Sequence, residues 1–347
     1  MHKSKNQKKT LNTLDKKKIS MYDVITVGSA TFDVFARTEF SEIVKIIDPK
    51  GETDLLAFPS GSKILIDEID FSTGGSGTNT GVALSRLGHK VAFVGRLGQG
   101  TNSAFIHKQL QREKVDQLCA HGDGMVGYSI ILDTLEHDRT ILAYKGANDH
   151  LTYSGIPTRK LKTKWFYFGA MLHESFRTQE KLALFAKKCG IKIAFNPSTY
   201  LAKQGASALK GILTHTELLV LNREEACLLA GSLPMEQAIR NLHSLGPNLV
   251  VVTDGKNRLF VSDGATLHSA MPPRIKVVDA TGAGDAFAAS FLSGLLRTGD
   301  IAFAIKLGIV NSSSVLSNYG AKNILLSYPE ALRRIKKLRI SIASKRL

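Results

Sequence analysis

The sequence predicts an α/β fold, a mainly parallel central sheet with helices on both faces, and three observations carry that expectation. From Trp165 onward strand and helix patterns alternate: a strand to Phe168, a helix over 178–188, a strand over 191–195, a turn at Asn196-Pro197-Ser198, a helix, and a strand over 218–221. Strands that alternate with helices in this rhythm pair in parallel through crossovers. The first strand, 24–27, runs into Gly28-Ser29-Ala30, small residues at a carboxyl edge, where open α/β sheets place their ligands. Finally, residues 277–296, VVDATGAGDAFAASFLSGLL, pass from a strand end through a glycine turn into a helix.

The remaining elements follow in order. A glycine-rich turn at 74–77 precedes a helical run over 81–87 and a strand over 91–94. Residues 37–73 break the rhythm, with turns at Pro49-Lys50-Gly51 and Pro59-Ser60-Gly61 and a short strand over 63–69. Together with the β-type runs 127–133 and 140–145 they are expected to form a small sheet outside the main one. A strand over 249–252 closes at Thr253-Asp254-Gly255, a hairpin follows, then a helical run over 301–316 and a last helix opened by Pro329.

In the 277–296 stretch, Phe287, Phe291, Leu292 and Leu295 recur at helical spacing, so a helix starts near Ala283. Its first N–H groups have no intrahelical partner, and they face back across Gly282-Ala283-Gly284. Glycines admit a phosphate to the backbone, and the helix terminus adds partial positive charge, which together make an anion site. Asp285 in the first turn would repel that anion unless it takes a proton from a hydroxyl attacking it. The plainer account of the same residues is a tight turn with an N-terminal helix charge.

Composition narrows the classes. The chain has 347 residues, 43% of them hydrophobic, and a net charge of +16. Seven lysines lie in residues 1–20 and seven Lys or Arg in residues 331–347, so the body between is close to neutral. Met21 opens the first core strand, which makes residues 1–20 read as a basic, disordered arm, 21–341 as the folded domain and 342–347 as a basic tail. No run reaches the roughly 18 apolar residues of a membrane span, and no apolar core follows the basic start as in a signal peptide. A cytoplasmic protein without membrane contact is expected. Cys119, Cys189 and Cys227 have no metal-ligand or disulfide spacing.

Asp279-Ala280-Thr281-Gly282-Ala283-Gly284-Asp285 resembles the C-terminal signature of the ribokinase (PfkB) family of sugar and nucleoside kinases, Asp-[Ser/Thr]-x-Gly-Ala-Gly-Asp, with Ala280 in the hydroxyl position. Residues 74–98 resemble its N-terminal signature, although part of the family has lysine where this chain has Ser76, and Gln99-Gly100-Thr101-Asn102 departs from the usual Asp-x-x-Gly. The resemblance implies a ribokinase-like three-layer αβα fold in which parts of 37–73 and 124–148 form a β-sheet lid. It also implies ATP-dependent phosphorylation of a primary hydroxyl on a sugar or nucleoside. Asp285 would be the general base, with an ordinary carboxyl pKa, and Gly282, Ala283 and Gly284 the anion hole.

The same resemblance assigns Asp33, Gly75 and Asn79 to the acceptor, with Arg139 as a further contact; Asp33 reads equally as a turn cap. Asn222 and Glu225 match the family's Asn-x-x-Glu, which places Mg²⁺ and phosphate largely through water, while the same residues suit a helix N-cap. Thr253 and Gly255 would lie against the nucleotide, with Arg258 strained if its position needs a positive φ. Asn311 would lie near adenine or else serve as a buried hydrogen-bonder. Asp279 would join the K⁺ site that part of the family builds. Phe32, Phe35, Phe58 or Tyr128 could stack a base, and the lid could pair two copies into a homodimer. Two rival readings stand beside this one: a phosphosugar kinase gripping its substrate through Arg139, Lys145 or Lys63, and a non-catalytic ligand- or nucleic-acid-binding protein using its tails.

Overall fold

The computed structural model describes residues 21–38, 42–48, 51–133 and 139–347; the basic arm 1–20 lies outside them. A ten-stranded sheet forms the spine. Seven of its strands run parallel in the order Leu249–Thr253, Leu218–Asn222, Lys192–Phe195, Thr163–Phe168, Tyr22–Val27, Val91–Val94, Val115–Gln117. Three antiparallel strands, Leu259–Ser262, Thr266–Ala270 and Ile342–Arg346, extend the other edge. Residues 342–346 are therefore the last strand of the sheet and not a tail. The open edge of Thr266–Ala270 offers them backbone partners, and Lys345 pairs with Glu236.

Alternate residues of each parallel strand enter different cores, as expected of a sheet covered on both faces. Val24, Tyr167, Val220 and Val251 pack with Phe287, Phe291 and Ile305 from the helices Ala283–Thr298 and Ile301–Val315. Ile25, Phe168, Leu219 and Val252 pack with Leu182, Ile212 and Ile239 from the helices on the opposite side. The helix Ser76–Arg86 lies against the first of these cores and touches Ala283–Thr298. Both glycine turns thus open on the same carboxyl edge of the sheet.

The lid is a separate four-stranded sheet in the order Arg139–Tyr144, Gly127–Asp133, Thr31–Arg37, Glu68–Gly74. Its second and third strands are parallel and the other pairs antiparallel. The structure moves two expected boundaries. Asp33 is inside a strand and not on a turn, because Phe32, Val34 and Ala36 alternate with Thr31, Asp33, Phe35 and Arg37 over two faces of a pleat. The strand expected over 63–69 is Glu68–Gly74, which pairs fully with Thr31–Arg37, while Glu42–Asp48 and Gly51–Ala57 make their own hairpin.

Phe93, fully buried, supports the acceptor end of the sheet: a Cβ on Gly77 would lie 2.6 Å from its ring and one on Gly95 2.3 Å. Phe93→Ala is expected to lower stability by about 3–5 kcal/mol, read as an earlier urea midpoint with an unchanged m-value.

Candidate active site

Two glycine turns face each other across the cleft. Gly75 caps the helix Ser76–Arg86 at φ 94°, and a Cβ there would lie 2.5 Å from the Ser29 carbonyl oxygen. Gly282 caps the helix Ala283–Thr298 at φ 74°, and its Cβ would meet that of Ala321 at 2.3 Å. Both positions require glycine. The turns are joined by one hydrogen bond, in which Asn79 Nδ2 donates to Asp285 Oδ2 at 2.8 Å. Asn79 Oδ1 is buried without a protein partner, a spare acceptor beside the carboxylate.

Burial pushes the Asp285 carboxyl up to about 6, against the Asn79 hydrogen bond and the Lys322 charge, which lower it, while Glu225 adds to the rise. The ordinary pKa expected from sequence is therefore corrected: the side chain is half-buried where the turns meet. Of the expected anion-hole residues, Ala283 turns its N–H to the Ala280 carbonyl at 3.3 Å. Gly284 is exposed, with open space where a Cβ would stand. Its N–H lies in the first helical turn, where no intrahelical acceptor exists.

On the acceptor side, Asp33 is buried and accepts from Thr31 Oγ1 at 2.7 Å. Burial raises its pKa, with Thr31, Ser129 and Lys322 opposing. A Cβ on Gly74 would sit 1.9 Å from Asp33 Oδ2, so that glycine makes the room for the carboxylate. Pairing register sets Ser72 and Ser129 on either side of Asp33, a polar row on one lid face. A cavity of about 290 Å³ continues past Ser72, bordered by Phe35, Asp70, Tyr319 and Asn323. Among the aromatic candidates, Phe32 and Tyr128 are on the opposite face, with ring centroids 5.4 Å apart, and Phe35 alone shares the face of Asp33. The backbone of Arg139 opens its strand opposite Asp133, and its side chain lies outside the described part of the structure.

A second cavity, about 1000 Å³, opens at the other end of the cleft, lined by Thr253, Gly255, Ala283, Gly284, Phe287 and Ser312 among others. It connects the Ala283 helix terminus with the strand turn expected to hold nucleotide. Asn311 is not part of it. Fully buried, Asn311 donates to Ser290 Oγ at 2.7 Å and accepts from Leu326 N at 2.9 Å, so it is the buried hydrogen-bonder, and the expectation of adenine contact is corrected. Arg258 is unstrained, since the only positive-φ residues other than glycine among those described are Lys114, His173 and Ser198.

Asn222 and Glu225 form a reciprocal capping box: Asn222 Oδ1 accepts from Glu225 N at 2.8 Å, and Glu225 Oε2 accepts from Asn222 N at 2.9 Å. Burial raises the Glu225 pKa, against those bonds. Among the described residues no group of three His, Cys, Asp or Glu could hold a metal, so only a water-bridged Mg²⁺ shared with a ligand's phosphates fits Glu225. Asp279 Oδ1 accepts from Thr281 N and Thr281 Oγ1, at 2.8 and 2.6 Å, and Oδ2 accepts from Gly320 N at 3.0 Å. It is the cap of its own loop, and no cation is assigned to it.

A family model described as pfkB family carbohydrate kinase matches residues 40–327. The chain belongs to that family. This pfkB kinase is 27% identical over 93% of its length to all of a ribokinase from Lactococcus lactis. It is also 27% identical over 77% of its length to 94% of a cytidine kinase from Thermococcus kodakarensis. The structure of Arabidopsis thaliana ribokinase complexed with ribose and ATP superposes with a TM-score of 0.75 at 19% identity, covering 91% of this chain and 99% of that one. The three-layer ribokinase-like fold with its lid is thereby shown, and no helix among the described residues is long and apolar enough to cross a membrane.

One residue of this pfkB kinase's site gave no sequence signal. Lys322 reads as a surface lysine after Gly320-Ala321, yet it is 1% exposed and donates to Thr73 and Thr78 beneath the cleft.

The two glycines of the Ala283 turn differ in a measurable way. Gly282→Ala is expected to cost about 1–3 kcal/mol from backbone strain alone, read as a lower Tm. Gly284→Ala should leave Tm unchanged and weaken binding of a nucleoside triphosphate in calorimetry, because its methyl group would project into the cavity at the helix terminus.

Proposed function

We propose that the protein is an ATP-dependent kinase that transfers the γ-phosphoryl group to a primary hydroxyl of a sugar or nucleoside. The observation that carries this reading is the Asp285 carboxylate, half-buried in the first turn of a helix whose N-terminus lines the larger cavity, and hydrogen-bonded across the cleft to Asn79. A proton acceptor placed beside an anion site is the arrangement in-line phosphoryl transfer needs. Its pKa of about 6 leaves it ionised at neutral pH and basic enough to take the hydroxyl proton as the bond to phosphorus forms.

Asp33, with two acceptor oxygens, suits a vicinal diol, and Ser72 and Ser129 flank it in register. Gly75 lets the acceptor approach the backbone, and Asn79 ties acceptor and base together. ATP would occupy the larger cavity, its phosphates toward Gly284 and its nucleoside toward Thr253 and Gly255. Mg²⁺, bridged by water to Glu225, would neutralise phosphate charge. The lid closes the acceptor side from water, which for a kinase suppresses hydrolysis of ATP. Lys145, a candidate grip for a phosphosugar, instead sits 4.0 Å over the Tyr200 ring. The residues that flank Asp33 directly in register are the hydroxyls Ser72 and Ser129, and this favours an unphosphorylated acceptor.

ADP release with ATP and Mg²⁺ against nucleosides, free sugars and sugar phosphates tests this directly. Asp285→Asn should retain ATP binding and lose at least about a hundredfold in kcat; full turnover in that variant removes Asp285 from the role. In the wild type, kcat/KM should fall tenfold per pH unit below about 6, as protonation of Asp285 removes the base.

The outer lid face carries a row across all four strands, Leu142, Ile130, Val34 and Phe71, with Leu142 and Phe71 more than half exposed. A second copy would cover it lid to lid. Sedimentation velocity should then show a dimer that Phe71→Asp converts to monomer, while a monomeric wild type would exclude this pairing.

A further inference from the structure

Lys322 occupies an unusual position for a lysine. Its Nζ donates to Thr73 O at 2.8 Å, Thr73 Oγ1 at 2.9 Å and Thr78 Oγ1 at 3.0 Å, which uses all three ammonium protons on neutral oxygens. Thr73 is at the end of the lid strand Glu68–Gly74, and Thr78 is in the first turn of the helix that carries Asn79. The ammonium therefore clamps the root of the lid to the acceptor side of the cleft. The backbone of Lys322 is held as well, since Arg86 Nη1, from the far end of that helix, donates to its carbonyl at 2.8 Å.

Enclosing a lysine charge is costly without a counter-charge, and a lysine serving only to fill space would be better replaced by an apolar side chain. The balancing charges are the two carboxylates of the cleft. Burial pulls the Lys322 ammonium down to about 7, while Asp33 and then Asp285 pull it up, followed by Glu113, with Arg86 opposed. The effect is mutual, for Lys322 lowers the pKa of both carboxylates. The other groups that face Asp285 are Asn79, Glu225 and Tyr167, and those facing Asp33 are Thr31, Ser129 and Asp279. Among the described residues, Lys322 is the cation whose charge lowers the pKa of both carboxylates.

We propose that Lys322 is a positioning residue for phosphoryl transfer, an internal cation that clamps the lid root to the Ser76 helix and serves as the shared counter-charge of Asp33 and Asp285. The role rests on Asp285 being the base. Without the cation, Asp285 and Asp33 retain only their hydrogen bonds against burial, and the base holds its proton to higher pH.

Lys322→Met removes the charge and keeps the bulk; Lys322→Gln also keeps N–H donors for Thr73 and Thr78 and keeps the test readable if the first variant does not fold. In both, the acid limb of kcat/KM should move up by about one pH unit, so that activity at pH 6 falls about fivefold relative to wild type. At pH 8.5, well above the acid limb of either protein, Lys322→Gln and wild type should converge. Loss of activity at every pH with the limb unmoved would make Lys322 purely structural and overturn the proposal. A second readout needs no turnover: the ¹³C carboxyl titration of Asp285 should shift upward in the variants. An inactive wild type in which that shift still appears would reject the kinase reading while upholding the counter-charge, and an unshifted titration would reject the counter-charge alone.

Discussion

The hydrogen bond from Asn79 to Asp285 joins residues 206 positions apart and sets the spacing of the whole cleft. It holds together the N-terminal turns of two helices that approach the sheet edge from different parts of the chain. Each turn is narrow because its glycine has a positive φ and another chain segment lies where a Cβ would be. Widening either turn would separate Asn79 from Asp285. The bond also fixes one oxygen of a carboxylate whose burial would otherwise make it a poor anion at neutral pH.

The main sheet makes this closeness affordable in conformational terms. Its parallel strands end together at one edge, so Gly28, Gly169, Asn196, Asn222 and Thr253 come into one line without long loops. The lid then grows directly from that edge, because the strand carrying Asp33 begins four residues after the first core strand ends. Asp33 and the lid are thus one element, and motion of the lid carries Asp33 with it. A clamp at Thr73 limits that motion at its root, where the geometry around the base has to stay constant, and leaves the distal strands free to close.

Several cleft residues serve local structure and the site at once. Asn222 and Glu225 cap a helix with both partners engaged, and this leaves a buried carboxylate with a raised pKa at the carboxyl edge of the sheet. Asp279 spends both oxygens holding its loop closed around Gly282, which is how the second glycine turn keeps its shape. Such residues look functional in sequence because their local duty and their position coincide. Asn311 shows the limit of that inference, since its equal prominence in a helix reflects a buried bond to Ser290 and nothing in the cleft.

The amino-acid sequence by itself determined the α/β alternation, the two glycine turns and the placing of Asn79 and Asp285 beside them, because periodicity, glycine spacing and helix starts are local properties of the chain. The family followed from the same short-range pattern. Only the tertiary structure decided what depends on enclosure and on distant neighbours: that burial pushes the Asp285 carboxyl up to about 6, that Asp33 lies on a lid strand, that residues 342–346 complete the sheet, and that Lys322 is buried on Thr73 and Thr78. Desolvation and charge pairing are set by whichever segments fold over a group, and for Lys322 those are the lid root and a helix some 244 residues away.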